Sequence, residues 1–180
     1  QRDVITTAKA AASLDRLSNG RFIFGVGAGW NQDEMENHGV VYKTRFKEMS
    51  EKIEAIKSLW VEEESEYHGT FVDFDPVWSS PKPLSQKHPP IIIGGETDYT
   101  LKRIANLADG WLPRGSKDFD PSAERIRLDD AAKAAGRNPE ELTMTVFFAP
   151  TEYDELQKYK DANVSGVLFD VPDQPRDKIL

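Results

Sequence analysis

Residues 14–30 constrain this chain more than any other stretch. They specify a helix end, a stop, a short strand and a glycine-lined strand mouth in immediate succession. Ser18-Asn19-Gly20 is the stop, because Asn or Gly just past the last apolar-periodic residue takes the left-handed conformation that closes a helix. Phe22 to Val26 is a nearly continuous apolar run, which predicts a strand over about 21–27 buried on both faces. Gly25, Gly27 and Gly29 follow at spacing two, where a missing Cβ lets a ligand or another element approach the backbone.

The rest of the chain continues that alternation. Ile5, Ala8 and Ala12 recur at helical spacing ahead of the stop, with Lys9 and Arg16 left for solvent. Asn31 caps a short helix with acids in its first turn, and Gly39 ends it. Phe46, Met49, Ile53, Ile56 and Trp60 mark one face of a long amphipathic helix, with Thr44 as its expected cap. Ile91-Ile92-Ile93 reads as a buried strand ending at Gly94-Gly95, and Leu101, Ile104, Ala105 and Ala108 as the inner face of the next helix. Gly110-Trp111-Leu112 is a short strand, and Asp120-Pro121 opens a helix that Gly136 closes. Leu142 to Phe148 is a strand, Thr151 the expected cap of a short helix, and Gly166 to Phe169 the last strand. Only residues 62–90 break the rhythm: a turn at 66–70, a half-exposed strand at 71–74, then five prolines from Pro76 to Pro90. Such an irregular surface excursion is often functional. The expectation is a parallel α/β sheet without β-hairpins, in a single domain spanning residues 1–180. Periodicity does not choose between an open sheet and a closed barrel.

Composition narrows the chemistry. The chain of 180 residues has 31 acidic against 23 basic side chains, a formal charge of −8, so no basic stripe invites nucleic acid. It has no cysteine, which excludes disulfides, thiolate catalysis and thiolate metal sites. His38, His68 and His88 show no ligand pairing, so no metal is expected. No apolar run approaches the roughly 20 residues that span a bilayer. These features predict a soluble, cytoplasmic protein.

Two glycine clusters end strands, and in parallel α/β folds ligands bind at the carboxyl ends of strands, so both are expected on one functional rim. Gly94-Gly95-Glu96-Thr97 runs straight into a helix, where backbone N–H groups and the positive helix end form a phosphate site. A plain β–α turn whose glycines ease packing is equally compatible with those four residues. The first cluster is spaced Gly-x-Gly-x-Gly rather than Gly-x-Gly-x-x-Gly, and no acidic residue ends a second strand about 20 residues on, so a dinucleotide fold is disfavoured.

Four segments in order carry a family resemblance: Ala-Ser-Leu-Asp-Arg-Leu-Ser-Asn-Gly-Arg-Phe, Gly-Val-Gly-Ala-Gly-Trp, Pro-Pro-Ile-Ile-Ile-Gly-Gly-Glu-Thr and Ala-Asp-Gly-Trp-Leu-Pro. The chain resembles the bacterial-luciferase-like flavin and deazaflavin oxidoreductases, closely over residues 1–116 and more loosely to Asp170. Gly29-Trp30-Asn31, His38-Gly39-Val40 and Arg45-Phe46 are most similar to the branch that uses coenzyme F420, although FMN-using members share much of the pattern.

The resemblance implies a (β/α)8 TIM barrel with the cofactor across its C-terminal mouth, of which five β/α units are expected here. It implies that Gly94, Gly95, Glu96 and Thr97 hold the cofactor phosphate, and that Gly27, Ala28, Gly29 and Trp30 lie beside its ring or tail. Trp111 and Arg114 fall on the substrate side, although Trp30 and Trp111 read equally well as packing residues and Arg114 as a solvated one. Residues that usually touch the reactive part of the ring belong to strands preceding this stretch, so catalytic residues are not assigned. The implied activity is hydride transfer through F420, or monooxygenation if the cofactor is FMN, on a small-molecule substrate that the resemblance does not identify. A non-catalytic fragment and a phosphate- or nucleotide-binding α/β module are the competing readings. Open apolar strand edges at Phe22-Ile23-Phe24 and Val167-Leu168-Phe169 lead to the expectation of a homo-oligomer or a strand-completing partner.

Overall fold

The structure, a computed structural model, describes residues 1–85, 87–171 and 173–174. The chain forms two compact units, Gln1–Ile92 and Ile93–Leu180.

In the first unit, α1 (Val4–Leu17) is capped by Asp3, whose carboxylate accepts from the Thr6 N–H at 2.7 Å. Its inner face is Val4, Ala8, Ala11 and Ala12, so small side chains let α3 (Arg45–Val61) pack closely against it. Trp60 of α3 spans that contact, its indole N–H donating to the Ala8 carbonyl at 2.9 Å. Asn19 and Gly20 both have positive φ, which closes α1 where the sequence predicts the stop. The short α2 (Gln32–Asn37) is capped by the Asn31 side chain and ended by Gly39 in the left-handed region. Thr44 precedes α3 but does not cap it through its side chain; the hydroxyl donates to the Val41 carbonyl in a 3₁₀ turn over Tyr42–Thr44.

Two expectations need correction here. The first strand, β1, is only Phe24–Val26, and it is half-buried to exposed rather than buried on both faces. Its one strand neighbour among the described residues is β4 (Ile91–Gly94), onto which the Phe24 N–H bonds through the Pro90 carbonyl at 2.8 Å. Ile23 beside it is 53% exposed, as an apolar run becomes when a sheet continues on one side only. The second correction concerns residues 62–90, which contain a β-hairpin: β2 (Glu64–His68) pairs antiparallel with β3 (Asp73–Trp78). The sequence predicts no regular structure from Pro76 onward, yet Pro76 lies within β3. The register explains it: Ser65 faces Val77 and Tyr67 faces Phe74, so Asp75 and Pro76 oppose Glu66 alone. Pro76 sits in a β-bulge, where a missing ladder donor is tolerated.

His68 and Asp73 face each other at the hairpin's end, His68 Nδ1 lying 2.7 Å from Asp73 Oδ1. That hydrogen bond, reinforced by the Asp73, Glu66 and Asp75 charges, raises the His68 pKa above its ordinary 6.5. A raised folded value means that the pairing stabilises the hairpin fully below the unfolded pKa and is lost as pH rises through the folded one. In an NMR titration His68 is therefore expected to titrate with a midpoint above 6.5, and Asp73→Asn to bring the midpoint back. A midpoint unchanged by Asp73→Asn would remove the pair as its cause.

The proline-rich segment after the hairpin is irregular but tightly held. Asp15, in the last turn of α1, is fully buried and accepts from the Leu84 and Ser85 N–H groups at 2.7 and 3.0 Å and from the Ser85 hydroxyl at 3.0 Å. Lys82 donates its ammonium to the Leu59 carbonyl at 2.8 Å and to the Glu62 carbonyl, neutralising the negative end of α3. Arg16 in turn donates to the Lys82 carbonyl at 3.2 Å.

The second unit alternates as expected: α4 (Asp98–Leu107), β5 (Gly110–Leu112), α5 (Pro121–Ala134), β6 (Thr143–Phe147), α6 (Tyr153–Asp161) and β7 (Gly166–Leu168). β6 runs parallel to both β5 and β7. Its core is Ile93, Ile104, Trp111, Leu128, Leu142, Met144 and Val146, all fully buried or nearly so, each worth about 1.5–3 kcal/mol of apolar burial. Asp120 caps α5 through the Ser122 and Ala123 N–H groups, with Pro121 at its first position. Arg125, 8% exposed, donates to the Leu142 and Pro139 carbonyls at 2.7 and 2.8 Å and pairs with Asp129. The cap of α6 is Glu152 rather than Thr151, with no side-chain bond to the helix. Among the described residues β7 has β6 as its one strand neighbour, and Leu168 and Phe169 are about half exposed. Among the described residues no helix is long and apolar enough to cross a membrane.

Candidate functional site

The loop Gly94–Thr97 joins β4 to α4. Gly95 lies at φ +119°, a conformation L-residues rarely adopt, and a Cβ there would stand 3.0 Å from the Thr100 hydroxyl. Thr97 is the cap of α4: its side-chain oxygen accepts from the Thr100 N–H at 3.2 Å, and the two threonine hydroxyls lie 3.1 Å apart. Thr100 is buried beneath the loop, while Gly95, Glu96 and Thr97 are exposed. The first N–H groups of any helix lack intrahelical partners and carry its positive end, so the arrangement can bind an anion.

Two side chains hold this loop from below and from the side. Trp111 on β5 is fully buried, and its indole N–H donates to the Gly95 carbonyl at 2.6 Å. The structure thus ties Trp111 to the glycine loop and gives it no exposed face. Arg127 on α5 donates to the Glu96 carbonyl at 3.2 Å and pairs at 2.6 Å with Asp98 in the first turn of α4 and with Glu124. The hydrogen bond to Asp98 raises the arginine's pKa further. Sequence reasoning missed Arg127, which lies 30 residues beyond the loop on a helix with no motif.

Arg114 is exposed just past β5, its guanidinium 5.3 Å from the Phe148 ring. Around it the backbones of the β5 and β6 ends are in close contact: the Gly115 N–H donates to the Phe147 carbonyl at 2.6 Å, and a Cβ on Gly115 would stand 2.5 Å from the Phe148 carbonyl oxygen. Phe148 itself has φ +60°, a strained conformation for an aromatic residue.

In the first unit, Gly27, Ala28 and Gly29 form one lip of a cleft of about 340 Å³. Val26, Met35, Met49 and Ile53 make its apolar wall, with Arg45 and Lys52 among its charged groups, and it reaches Gln1 and Arg2. Gly27 has no neighbour within 4 Å of a built Cβ, whereas Gly29 has φ +82° and a Cβ there would stand 2.9 Å from the Met35 sulfur. Trp30 is 85% exposed and does not line the cleft. Arg45 holds the lip: it donates to the Gly29 carbonyl at 3.3 Å and the Tyr42 carbonyl at 2.9 Å, with its guanidinium 3.7 Å from the Tyr42 ring centroid. The residues of the F420-like signature therefore act locally as a helix cap at Asn31, a turn at Gly39 and a lip clamp at Arg45.

A partly parallel α/β chain with glycine strand ends and an anion-ready loop is the build of cofactor-binding α/β enzymes. The chain belongs to the luciferase-like monooxygenase family, whose pattern it matches over residues 1–161. An uncharacterized protein of Mycobacterium tuberculosis is 41% identical over 180 residues, covering 98% of this chain and 62% of that protein. The FMNH(2)-dependent dimethylsulfone monooxygenase of Pseudomonas putida is 29% identical over 136 residues, 73% of this chain and 36% of the enzyme. Among solved structures, an F420-dependent secondary alcohol dehydrogenase in complex with an F420-acetone adduct superposes with a TM-score of 0.76 at 14% identity, over 94% of this chain and 69% of that one. That likeness is one of fold, the TIM barrel of the luciferase-like enzymes, and the chain is a partial domain of it. The chain spans 62% of the mycobacterial relative's length and less of the Pseudomonas enzyme's.

Proposed function

We propose that this chain carries the cofactor-phosphate loop of a flavin- or deazaflavin-dependent oxidoreductase, and that the cofactor is F420 in preference to FMN. The observation that carries the reading is Gly95: its positive φ strains any side chain, and a Cβ would press on Thr100 at 3.0 Å, in an exposed loop opening a helix. Those features fit a phosphate, which both cofactors bear. Gly94, Gly95, Glu96 and Thr97 would hold it through backbone N–H groups. Gly27, Ala28, Gly29 and Trp30 would lie beside the ring or tail, with Arg45 keeping the lip in place. Arg114 would meet an anionic group on the substrate side. When bound, the cofactor supplies the two-electron chemistry. The protein's part is to bind, orient and shield it from water. The preference for F420 rests on the Gly29-Trp30-Asn31 and His38-Gly39-Val40 signature together with Arg45-Phe46. Side-by-side titration of the protein with F420 and FMN tests it. Tighter F420 binding is expected, and tighter FMN binding with oxygen consumption would replace the reading with a flavin monooxygenase.

A further inference from the structure

We infer that Trp111 and Arg127 are positioning residues that turn two consecutive peptide N–H groups, those of Glu96 and Thr97, outward as a preformed phosphate cradle. The inference rests on the proposed cofactor-phosphate loop and goes beyond it to side chains outside the loop. The geometry comes from the peptide bond itself. In a trans peptide the carbonyl of one residue and the N–H of the next point in opposite directions. Among the described residues Ser80–Pro81 is the one cis peptide, so both peptides of the loop are trans.

The Gly95 carbonyl is held by the indole N–H of fully buried Trp111 at 2.6 Å, so the Glu96 N–H points away from the core. The Glu96 carbonyl is held by Arg127 at 3.2 Å, so the Thr97 N–H points away from α5. Without these anchors either peptide plane is free to rotate and present a carbonyl oxygen, which repels an anion, in place of a donor. Arg127 has a second effect. Asp98 would set a carboxylate in the first turn of α4, next to any bound phosphate, and the 2.6 Å pair with Arg127 draws it off and neutralises it. The positive φ of Gly95 is what lets its carbonyl reach Trp111 while the chain still turns into α4. One tryptophan, one arginine and one glycine thus set the direction of two donors, none of them contacting the anion through a side chain.

The test compares FMN with riboflavin, which differ only in the phosphate, titrated by fluorescence against the parent, Trp111→Phe and Arg127→Gln. Trp111→Phe keeps the buried ring and deletes the indole N–H. Arg127→Gln changes a side chain 37% exposed, so it keeps the test valid should the tryptophan variant fold poorly. Each variant is expected to weaken the phosphate-bearing ligand roughly tenfold, the loss of about one hydrogen bond's orientation, and to leave the phosphate-free ligand unchanged. A general structural role would weaken both ligands equally, and that result overturns the inference, as does an unchanged ratio in both variants. A parent that binds phosphate-bearing and phosphate-free ligands equally would overturn the phosphate loop itself, and the inference with it.

Discussion

Gly95→Val is expected to weaken binding of FMN and of F420 by ten- to a hundredfold, the largest effect of any single change in the loop. The reasoning is conformational before it is steric. At φ +119° any β-branched residue is strained by about 1–3 kcal/mol. Relief requires the backbone to rotate, which swings the Gly95 carbonyl off Trp111 and the following N–H off its outward direction. The new Cβ would also press on the Thr100 hydroxyl at 3.0 Å, beneath the cap of α4. Gly27→Ala is the matched comparison. Gly27 has an ordinary φ and open space around its Cβ position, so its melting temperature is expected to stay at the parent's value. Loss of cofactor affinity in Gly27→Ala at unchanged stability would then report close approach of the ligand to β1. Gly95→Val binding either cofactor as tightly as the parent would show that the loop does not hold the phosphate.

Asp15→Ala is expected to destabilise the first unit by about 3 kcal/mol. The carboxylate is fully buried and accepts three hydrogen bonds, two from backbone N–H groups of Leu84 and Ser85 and one from the Ser85 hydroxyl. Alanine would strand those donors and loosen a segment that Arg16 and Lys82 also help to hold. Asn at the same site keeps one acceptor oxygen and should cost about half as much. Urea unfolding followed by tryptophan fluorescence measures both, with a lower midpoint at unchanged slope marking a loss of stability rather than of structure. A midpoint within error of the parent for Asp15→Ala would mean that water replaces the carboxylate and the proline-rich segment needs no anchor.

The contrast between Asp15 and the glycine motifs shows what kind of information each level holds. Helix limits were legible because caps and stops are local chemistry: Asn19-Gly20, Asn31, Asp120-Pro121 and Gly136 act within a few residues of themselves. The buried β4 and the inner face of α4 were legible because periodicity reports burial directly. Gly95 was legible as a glycine that a strand-to-helix turn needs. The hairpin in 64–78 was misread because a proline looks like a strand breaker until the opposing strand is known. Register, a property of two strands together, places Pro76 in a bulge. The exposure of β1 was likewise a question of how many neighbours a strand has, which an apolar run cannot say.

Long-range polar contacts were invisible for the same reason. Asp15 carries no motif that singles it out in the sequence, although an acid near a helix C-terminus is disfavoured by the macrodipole and so hints at a partner elsewhere. Its partners lie about 70 residues away. Trp111 reads equally as packing or a ligand contact from the sequence, and Arg127 is not singled out there at all. The sequence by itself determined the order of elements, their ends and the glycine at the loop. Only the tertiary structure decided which carbonyls Trp111 and Arg127 hold, because a hydrogen bond depends on ångström-scale distance and direction between residues whose spacing in the chain carries neither.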